Sequence, residues 1–578
     1  MYDPRPPRAA RPRRLARLAA CTALALSAGT LLSAGPAAAV DRTPVRPAAL
    51  SVARPHLGAD AARTPVPYAT VAARPRLDLD RDGQADQLLR FVDGSSQVLL
   101  SGSQSDSSEP FAIHGDTQET VKDVIQVGNA GGTAAPELLT LSYDGRLSLH
   151  PTTAKGAGAP TWSGYGWQVY NRVIGAGDLT KDGRPDLLAR TPGGELFLYK
   201  GTGTLTGQPF APRIRVGTGW GQYDQLVGSG DLDRDGVADL LGRTTAGDLY
   251  FYRGTGSATV PFSKPVKVGP GWNAYNQIIA ADDLNGDGRT DLLARTYAGR
   301  VYLYLSTGSG RFGARVDGAT SWKDIEFVVG AGITPSYGKH TLLARTADGT
   351  AYVYLTRADG TFAGRAKAPY TLLVPGSGLL SATGLDKINW ATPVETRGAS
   401  VWIHRANVAG LAGGIPDGTK VVAGPGDLTG DGRGDLLSRD AFGLLFLHPG
   451  DGTGTGFTPR VRVGAGWDAY DVLTGAGDVT GDGRPDLVAR SGGTLYLFPG
   501  TGSATAPFGA RTTIGTGWSG YTRLASPGDL DGDGRADLVA RDTAGSLYRY
   551  SATGRGGTAT FAARVLIGGG WNAYTGLS

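Results

Sequence analysis

An acidic nonapeptide, Asp-x-[Asp/Asn/Thr]-x-Asp-Gly-x-x-Asp, recurs seven times along the 578 residues, beginning at Asp78, Asp178, Asp231, Asp283, Asp427, Asp478 and Asp529. Neighbouring copies start 53, 52, 51 and 51 residues apart, and the two wider gaps, 100 and 144 residues, are close to two and three such periods. A period of this length marks one supersecondary unit stacked many times, so the core must lie between neighbouring copies of a small motif.

The copy Asp231-Leu232-Asp233-Arg234-Asp235-Gly236-Val237-Ala238-Asp239 shows what the pattern does. Positions 1, 3 and 5 offer side-chain oxygens on alternate residues. Gly236 permits the bend at position 6, because Gly takes positive φ without a steric penalty. Position 7 can turn a carbonyl inward, and position 9 closes the shell. Oxygen-only ligands with several carboxylates suit Ca²⁺, with Mg²⁺ second because it demands stricter octahedral geometry. Without a cation the carboxylates repel one another. The alternative is an Asp/Gly-rich hairpin turn with no metal. About seven Ca²⁺ sites are expected. Their ligands are Asp78, Asp80, Asp82 and Asp86; Asp178, Thr180, Asp182 and Asp186; Asp231, Asp233, Asp235 and Asp239; Asp283, Asn285, Asp287 and Asp291; Asp427, Thr429, Asp431 and Asp435; Asp478, Thr480, Asp482 and Asp486; and Asp529, Asp531, Asp533 and Asp537.

The flanks are not helical, and there is no Glu at loop position 12 as in a helical calcium hand. Tyr223–Gly230, Leu240–Arg243, Gly247–Tyr252 and Pro265–Val268 are four short β-type runs separated by turn residues. Four strands per repeat make one blade of an all-β propeller. The metal loop then joins the first strand to the second.

Gly177-Asp178-Leu179-Thr180-Lys181-Asp182-Gly183-Arg184-Pro185-Asp186-Leu187-Leu188 and its sister copies resemble the FG-GAP/VCBS repeat family, from about residue 68 to the C-terminus. The resemblance implies integrin-like propeller blades with calcium hairpins, and says little about function because such blades serve many proteins. Three repeats depart from the motif, at Asn129-Ala130-Gly131-Gly132, Gly332-Ile333-Thr334-Pro335 and Gly384-Leu385-Asp386-Lys387, yet strand-like runs follow each. They read as blades without calcium, which makes ten blades in all.

Phe210–Gly217 is echoed by Phe457–Gly464, and Gly254–Thr259 by Gly500–Thr505, at offsets of 247 and 246 residues. These offsets are near five periods and favour two tandem five-bladed propellers, over residues 68–330 and 331–578. One ten-bladed ring, or seven blades plus three, stays open. The final Gly570–Tyr574 is expected to add a closing strand to an early blade.

Six arginines before residue 18, an apolar run to about Ala34 and Ala37-Ala38-Ala39 read as a secretory signal over residues 1–39, with a Pro/Ala-rich flexible leader over 40–67. Cleavage there removes Cys21, the single cysteine, and leaves 51 basic and 51 acidic residues. The mature chain is then secreted, has no disulfide, relies on calcium as its cross-link, and lacks the net positive charge that nucleic-acid binding needs. No later apolar run is long enough to span a membrane.

A second signature, Gly-Trp-x-x-Tyr, places Trp167 and Tyr170, Trp220 and Tyr223, Trp272 and Tyr275, Trp467 and Tyr470, Trp518 and Tyr521, and Trp571 and Tyr574. It resembles the repeats of tachylectin-like propeller lectins, which implies sugar contact; the alternative is inter-blade packing, since Trp buries a large area wherever blades meet. Arg433-Gly434-Asp435 spells an adhesion tripeptide inside a metal loop. His150, His404 and His448 stand where sister repeats have Tyr or Phe, and no catalytic motif is present. The expected function is therefore a non-catalytic, calcium-stabilised binding module for carbohydrate or a cell-surface polymer such as a cell-wall glycan, or else for an extracellular protein. A calcium-dependent propeller enzyme such as a polysaccharide lyase is the alternative. An enzyme should carry one non-repeating polar cluster, sought near Gly338-Lys339-His340 and Asp386-Lys387, whereas a multivalent binder should repeat its site.

Overall fold

The computed structural model describes residues 75–578 apart from 93, 102–107, 116–120, 309, 320–321, 333–339, 369–372, 386–390, 406–407, 417 and 419. The expected signal and leader, and residues Gly338, Lys339, Asp386 and Lys387, lie outside the described residues. Among those described, the chain is built of sheets joined by turns, antiparallel but for the short pair Ala112–Ile113 and Gly156–Ala157, and its helices are single 3₁₀ turns. None is long and apolar enough to cross a membrane.

One blade illustrates the rest. Tyr223–Gly230 pairs with Asp239–Thr244, which pairs with Leu249–Tyr252, which pairs with Val266–Gly269. Leu240 and Leu241 of the second strand are both fully buried because this strand is covered on both faces by neighbouring blades. The outermost strand is largely exposed. The innermost strands crowd the centre of each half, where small residues become obligatory. A Cβ on Gly175 would lie 1.8 Å from the Gln126 carbonyl oxygen, and one on Gly228 would lie 2.3 Å from that of Gly175.

The same four-strand order recurs in nine sheets and in the core of a tenth. Two pairings connect distant parts of the chain. Ile325–Val328 supplies the inner strand beside Gln87–Phe91, so among the described residues five of these sheets are drawn from residues 87–328. Tyr574–Leu577 pairs with Thr341–Thr346, so the other five are drawn from residues 341–577. The last strand of each half thus returns to that half's first sheet, and the C-terminal strand closes as its sequence predicts. The repeats expected to lack metal ligands also form blades: Val121–Gly128 with Glu137–Ser142, Thr341–Thr346 with Ala351–Leu355, and Gly378–Ala382 with Thr392–Arg397. The architecture is an all-β propeller.

Apolar clusters straddle neighbouring blades. One joins Ile174, Leu188 and Leu198 of one blade to Trp220, Leu226 and Leu240 of the next. At the centre of the first half, the Gln225 side chain donates to the Ala331 carbonyl at 2.6 Å and the Leu226 N–H to that of Gly332 at 3.1 Å, so residues 331–332 fill the space between inner strands.

Candidate metal centres

All seven acidic loops fold alike, through three repeated hydrogen bonds. The position-1 Asp accepts the N–H of the position-6 Gly, as in Gly236 to Asp231 at 2.8 Å and Gly534 to Asp529 at 2.8 Å. The position-5 Asp accepts the N–H of position 7, as in Val237 to Asp235 at 2.9 Å. The position-9 Asp uses both oxygens: Asp239 accepts Leu232 N–H at 2.9 Å within the loop and Gly254 N–H at 2.7 Å from beyond the third strand. Position 9 therefore ties the loop to the rest of its blade, a link that the sequence pattern alone does not reveal. Position 4 is also left-handed. It is Gly at four loops, while Arg81, Lys181 and Arg234 take φ of 66°, 57° and 64° at the others.

These bonds leave oxygens for a cation. In the three loops with Asp at positions 1, 3 and 9, ligand atoms of Asp78/Asp80/Asp86, Asp231/Asp233/Asp239 and Asp529/Asp531/Asp537 converge within 4.8 Å of one another. Thr180, Asn285, Thr429 and Thr480 take position 3 in the other four loops. Asp78 Oδ1, Thr180 Oγ1, Asp233 Oδ1 and Asp531 Oδ1 are buried with no hydrogen-bond partner. A buried polar atom without a partner is destabilising by roughly 1–3 kcal/mol, so these oxygens fit a hard cation. Arg253, just past the third strand, reaches Asp233 at 2.7 Å and Asp235 at 2.8 Å, which offsets part of the charge yet leaves Asp233 Oδ1 without a partner.

Electrostatics agree with the donor set. Burial pushes the carboxyls of Asp86, Asp186 and Asp291 up to about 7 and that of Asp239 up to about 8, against the lowering effect of their backbone donors. In a metal-free chain the folded state therefore holds protons that the unfolded state has released, so stability falls as pH rises from about 4 through these values. We expect the chelated protein to melt higher at pH 5.5 than at pH 8. In excess calcium the order should reverse, because protons compete with the metal for the same oxygens. Calorimetry at the two pH values, with and without chelator, checks both signs; a chelated melt that rises with pH would show that these carboxyls are ionised in the folded apo chain.

The degenerate loop at 129–137 shows the design without the full acid set. Glu137 stands at position 9, and its longer side chain accepts Ala130 N–H at 2.7 Å and the Thr133 hydroxyl at 3.0 Å. The adhesion-like tripeptide is internal: Asp435 is fully buried and accepts N–H groups of Leu428 and Gly450. His150 and His448 are buried blade residues bonded to Thr140 and Ser438, and His404 bonds Glu395. His340 is buried 3.4 Å from Glu326.

Each Gly-Trp-x-x-Tyr places Gly at left-handed φ and Trp at the start of a 3₁₀ turn; Gly219, for example, has φ 85°. The Trp N–H donates to the preceding blade, as Trp220 does to the Gly194 carbonyl at 3.0 Å. Trp220 stacks against Tyr252 at 4.9 Å, and the Tyr223 and Tyr252 hydroxyls share a hydrogen bond of 2.6 Å. The same stacking recurs for Trp167, Trp272, Trp467, Trp518 and Trp571. All twelve Trp and Tyr side chains are at most 8 % exposed. That burial is the packing alternative, and the sugar-contact expectation finds no open ring face at these positions.

One repeated group escaped the sequence reading. Four residues after each position-9 Asp stands an Arg, and at six blades it spans the joint to the next blade. Arg243 donates to the Trp272 and Tyr275 carbonyls there and to Asp224 in its own blade. Arg190, Arg295, Arg439, Arg490 and Arg541 repeat the inter-blade contact. The signal was legible as Asp-Leu-[Leu/Val]-x-Arg. Arg295 also reveals a seventh Trp turn at Trp322, where Ile325 replaces Tyr.

Comparison with known proteins follows the same repeats. The FG-GAP-like repeat family matches residues 178–242, 427–489 and 478–540, and the FG-GAP repeat matches 275–304. No curated protein matches. Among solved structures, the Tc holotoxin pore of Photorhabdus luminescens aligns at 12 % identity and a TM-score of 0.25, over 84 % of this chain and 26 % of that one. The present chain thus spans about a quarter of that protein, and a likeness of this degree adds nothing to what the sheets show. Sequence matches and blade geometry agree: this chain carries FG-GAP and FG-GAP-like repeats folded as propeller blades.

Proposed function

We propose that this chain is a secreted, calcium-stabilised binding module whose two halves are each a five-bladed propeller, and that it recognises carbohydrate or another cell-surface polymer without catalysis. The observation that carries the reading is repetition: the hydrogen-bonded geometry of the acidic loop recurs at all seven positions. The strand pairings of Ile325–Val328 and Tyr574–Leu577 support the division into five and five. When bound, the cations would cross-link loop to blade through the position-1, -3, -5 and -9 side chains; their role is structural.

A place for a ligand exists where the ends of four inner strands of the first half meet. A cavity of about 370 Å³ there is lined by Arg76, Asp178, Arg184, Asp231, Asp283 and Arg289, among others. Arg76 forms its floor, held by Asp282 at 2.9 Å and by the Ala280 carbonyl at 3.2 Å. A rim of carboxylates, guanidinium groups and exposed backbone suits a hydroxyl-rich polymer, and the neighbouring metal loops would make its shape depend on calcium. Retention on immobilised glycans and cell-wall polymers, in calcium and in chelator, tests the reading. Arg184→Glu is expected to abolish retention while leaving the melting temperature within about 2 °C, since exposed substitutions rarely exceed ~0.5 kcal/mol. If folded wild-type protein is retained on none of these polymers, the ligand is instead a protein or the chain is a scaffold.

A further inference from the structure

The second half meets the first through its metal loops. Asn171 Nδ2 donates to the Asp482 carbonyl at 2.7 Å, Asn276 Nδ2 to the Asp531 carbonyl at 2.8 Å, and Gln277 Nε2 to the Gly532 carbonyl at 3.1 Å. Those acceptors are the backbone of loop positions 5, 3 and 4. Arg535, at position 7, ion-pairs with Asp533 inside the loop and reaches Asp224 of the first half at 3.4 Å. The third intact loop touches as well, since a Cβ on Gly432 would lie 2.7 Å from the Tyr143 carbonyl oxygen. Asn171, Asp224 and Asn276 each follow the Tyr of a Trp turn, at the starts of inner strands whose far ends carry the first half's own loops. The halves are therefore stacked head to tail, with the second half's metal loops turned toward the strand starts of the first.

Enclosure is complete at one loop. Every residue of 529–537 is buried, whereas the loops beginning at 78, 178, 231 and 427 keep exposed tips. Asp531 is 1 % exposed, and its Oδ1 has no hydrogen-bond partner. One carboxylate oxygen each of Asp529, Asp531 and Asp537 lies within 4.8 Å of the other two. The backbone carrying those side chains is the backbone that the first half grips.

We propose that the 529–537 loop is a cation-set clasp between the two halves. A divalent cation on Asp529, Asp531 and Asp537 fixes the loop so that the carbonyls of residues 531 and 532 and the Arg535 side chain present themselves to Asn276, Gln277 and Asp224. The inference rests on the metal reading of this loop. Without the cation, four buried carboxylates repel one another, the loop relaxes and the grip loosens. Thermodynamic linkage makes the coupling reciprocal: docking of the first half must raise the loop's cation affinity by the same factor by which the cation favours docking.

The test uses the full chain, calcium titration calorimetry and hydrogen exchange of the strand starts at 224–226 and 276–278. Asp531→Asn should remove one calcium equivalent and raise exchange at both first-half strand starts by tenfold or more, while the outer strands keep their protection. Asn276→Thr supplies a variant that leaves every ligand in place. Its hydroxyl can still accept from Arg295, as Thr522 does from Arg541 in a sister blade at 3.1 Å, but it lacks the long donor to residue 531. It should weaken one calcium site about tenfold and leave the rest unchanged. Normal calcium binding in Asn276→Thr, together with intact strand-start protection in calcium-loaded Asp531→Asn, would overturn the clasp while the metal reading stands. Failure of the wild-type chain to bind calcium would overturn both, and the titration alone distinguishes the two failures.

Discussion

Chelation is expected to lower the melting temperature of the full chain by at least about 15 °C, and added calcium to restore it. An ion present at 100 times its dissociation constant stabilises the folded state by about 2.7 kcal/mol. For a unit of 150–250 residues, 1 kcal/mol moves the midpoint by about 2–4 °C, so one loaded loop contributes roughly 5–10 °C and the three or four loops in each half contribute together. The physical source is on view in the loops: Asp78 Oδ1, Asp233 Oδ1 and Asp531 Oδ1 are buried with no hydrogen-bond partner, and the position-9 carboxyls are raised by burial. Differential scanning calorimetry with metal content measured on the same samples decides the matter. A midpoint that stays within 2 °C after calcium has been shown to leave would mean that the repeated hydrogen bonds hold the loops without help. Magnesium should restore only part of the loss, because its short, rigid octahedral shell fits a loop of this reach less well.

What the sequence made legible was whatever repeats as side-chain identity. Ligand positions 1, 3, 5 and 9, the Gly at position 6 and the four-strand unit could be read because the same residue type recurs at one period. The internal echoes at offsets near 247 residues pointed to a division near residue 330. What could not be read was geometry shared by different residues. Arg81, Lys181 and Arg234 share a left-handed backbone with glycines at position 4, and no property of their side chains announces it. Trp322 receives the same arginine contact as its six sisters, but Ser321 in place of Gly and Ile325 in place of Tyr hid it. The Trp-x-x-Tyr positions carried two readings because a Trp between blades and a Trp under a sugar look alike in sequence; burial separates them. The enclosure of 529–537 was beyond any sequence argument, since its residues differ little from those of the loop at 231.

Truncating the inter-blade arginine where it pairs with a buried carboxylate should be among the most damaging single substitutions in the chain. Arg243 is fully buried and forms a two-pronged ion pair with Asp224, Nε to Oδ1 at 3.0 Å and Nη2 to Oδ2 at 2.9 Å, while Nη1 serves the Trp272 and Tyr275 carbonyls of the next blade. Burial alone would raise the Asp224 carboxyl, but Arg243 and then Arg535 outweigh it and hold it below its ordinary value. Arg243→Ala removes the main counter-charge, strands two carbonyls and opens a void at the joint between two blades. Breaking a buried pair in this way costs about 3–5 kcal/mol, which corresponds to a fall of roughly 6–20 °C in the melting temperature. Arg490 supplies the comparison, because its sequence context is the same and its burial is not. Its partner Asp471 is 55 % exposed, so water can solvate the carboxylate once the guanidinium has gone. Arg490→Ala should therefore lose well under half of what Arg243→Ala loses, the remainder coming from the carbonyls of Trp518 and Tyr521. Equal losses at the two positions would mean that the carbonyl contacts, and not the buried charge pair, hold neighbouring blades together, and the ordering of the two melts by calorimetry distinguishes these accounts directly.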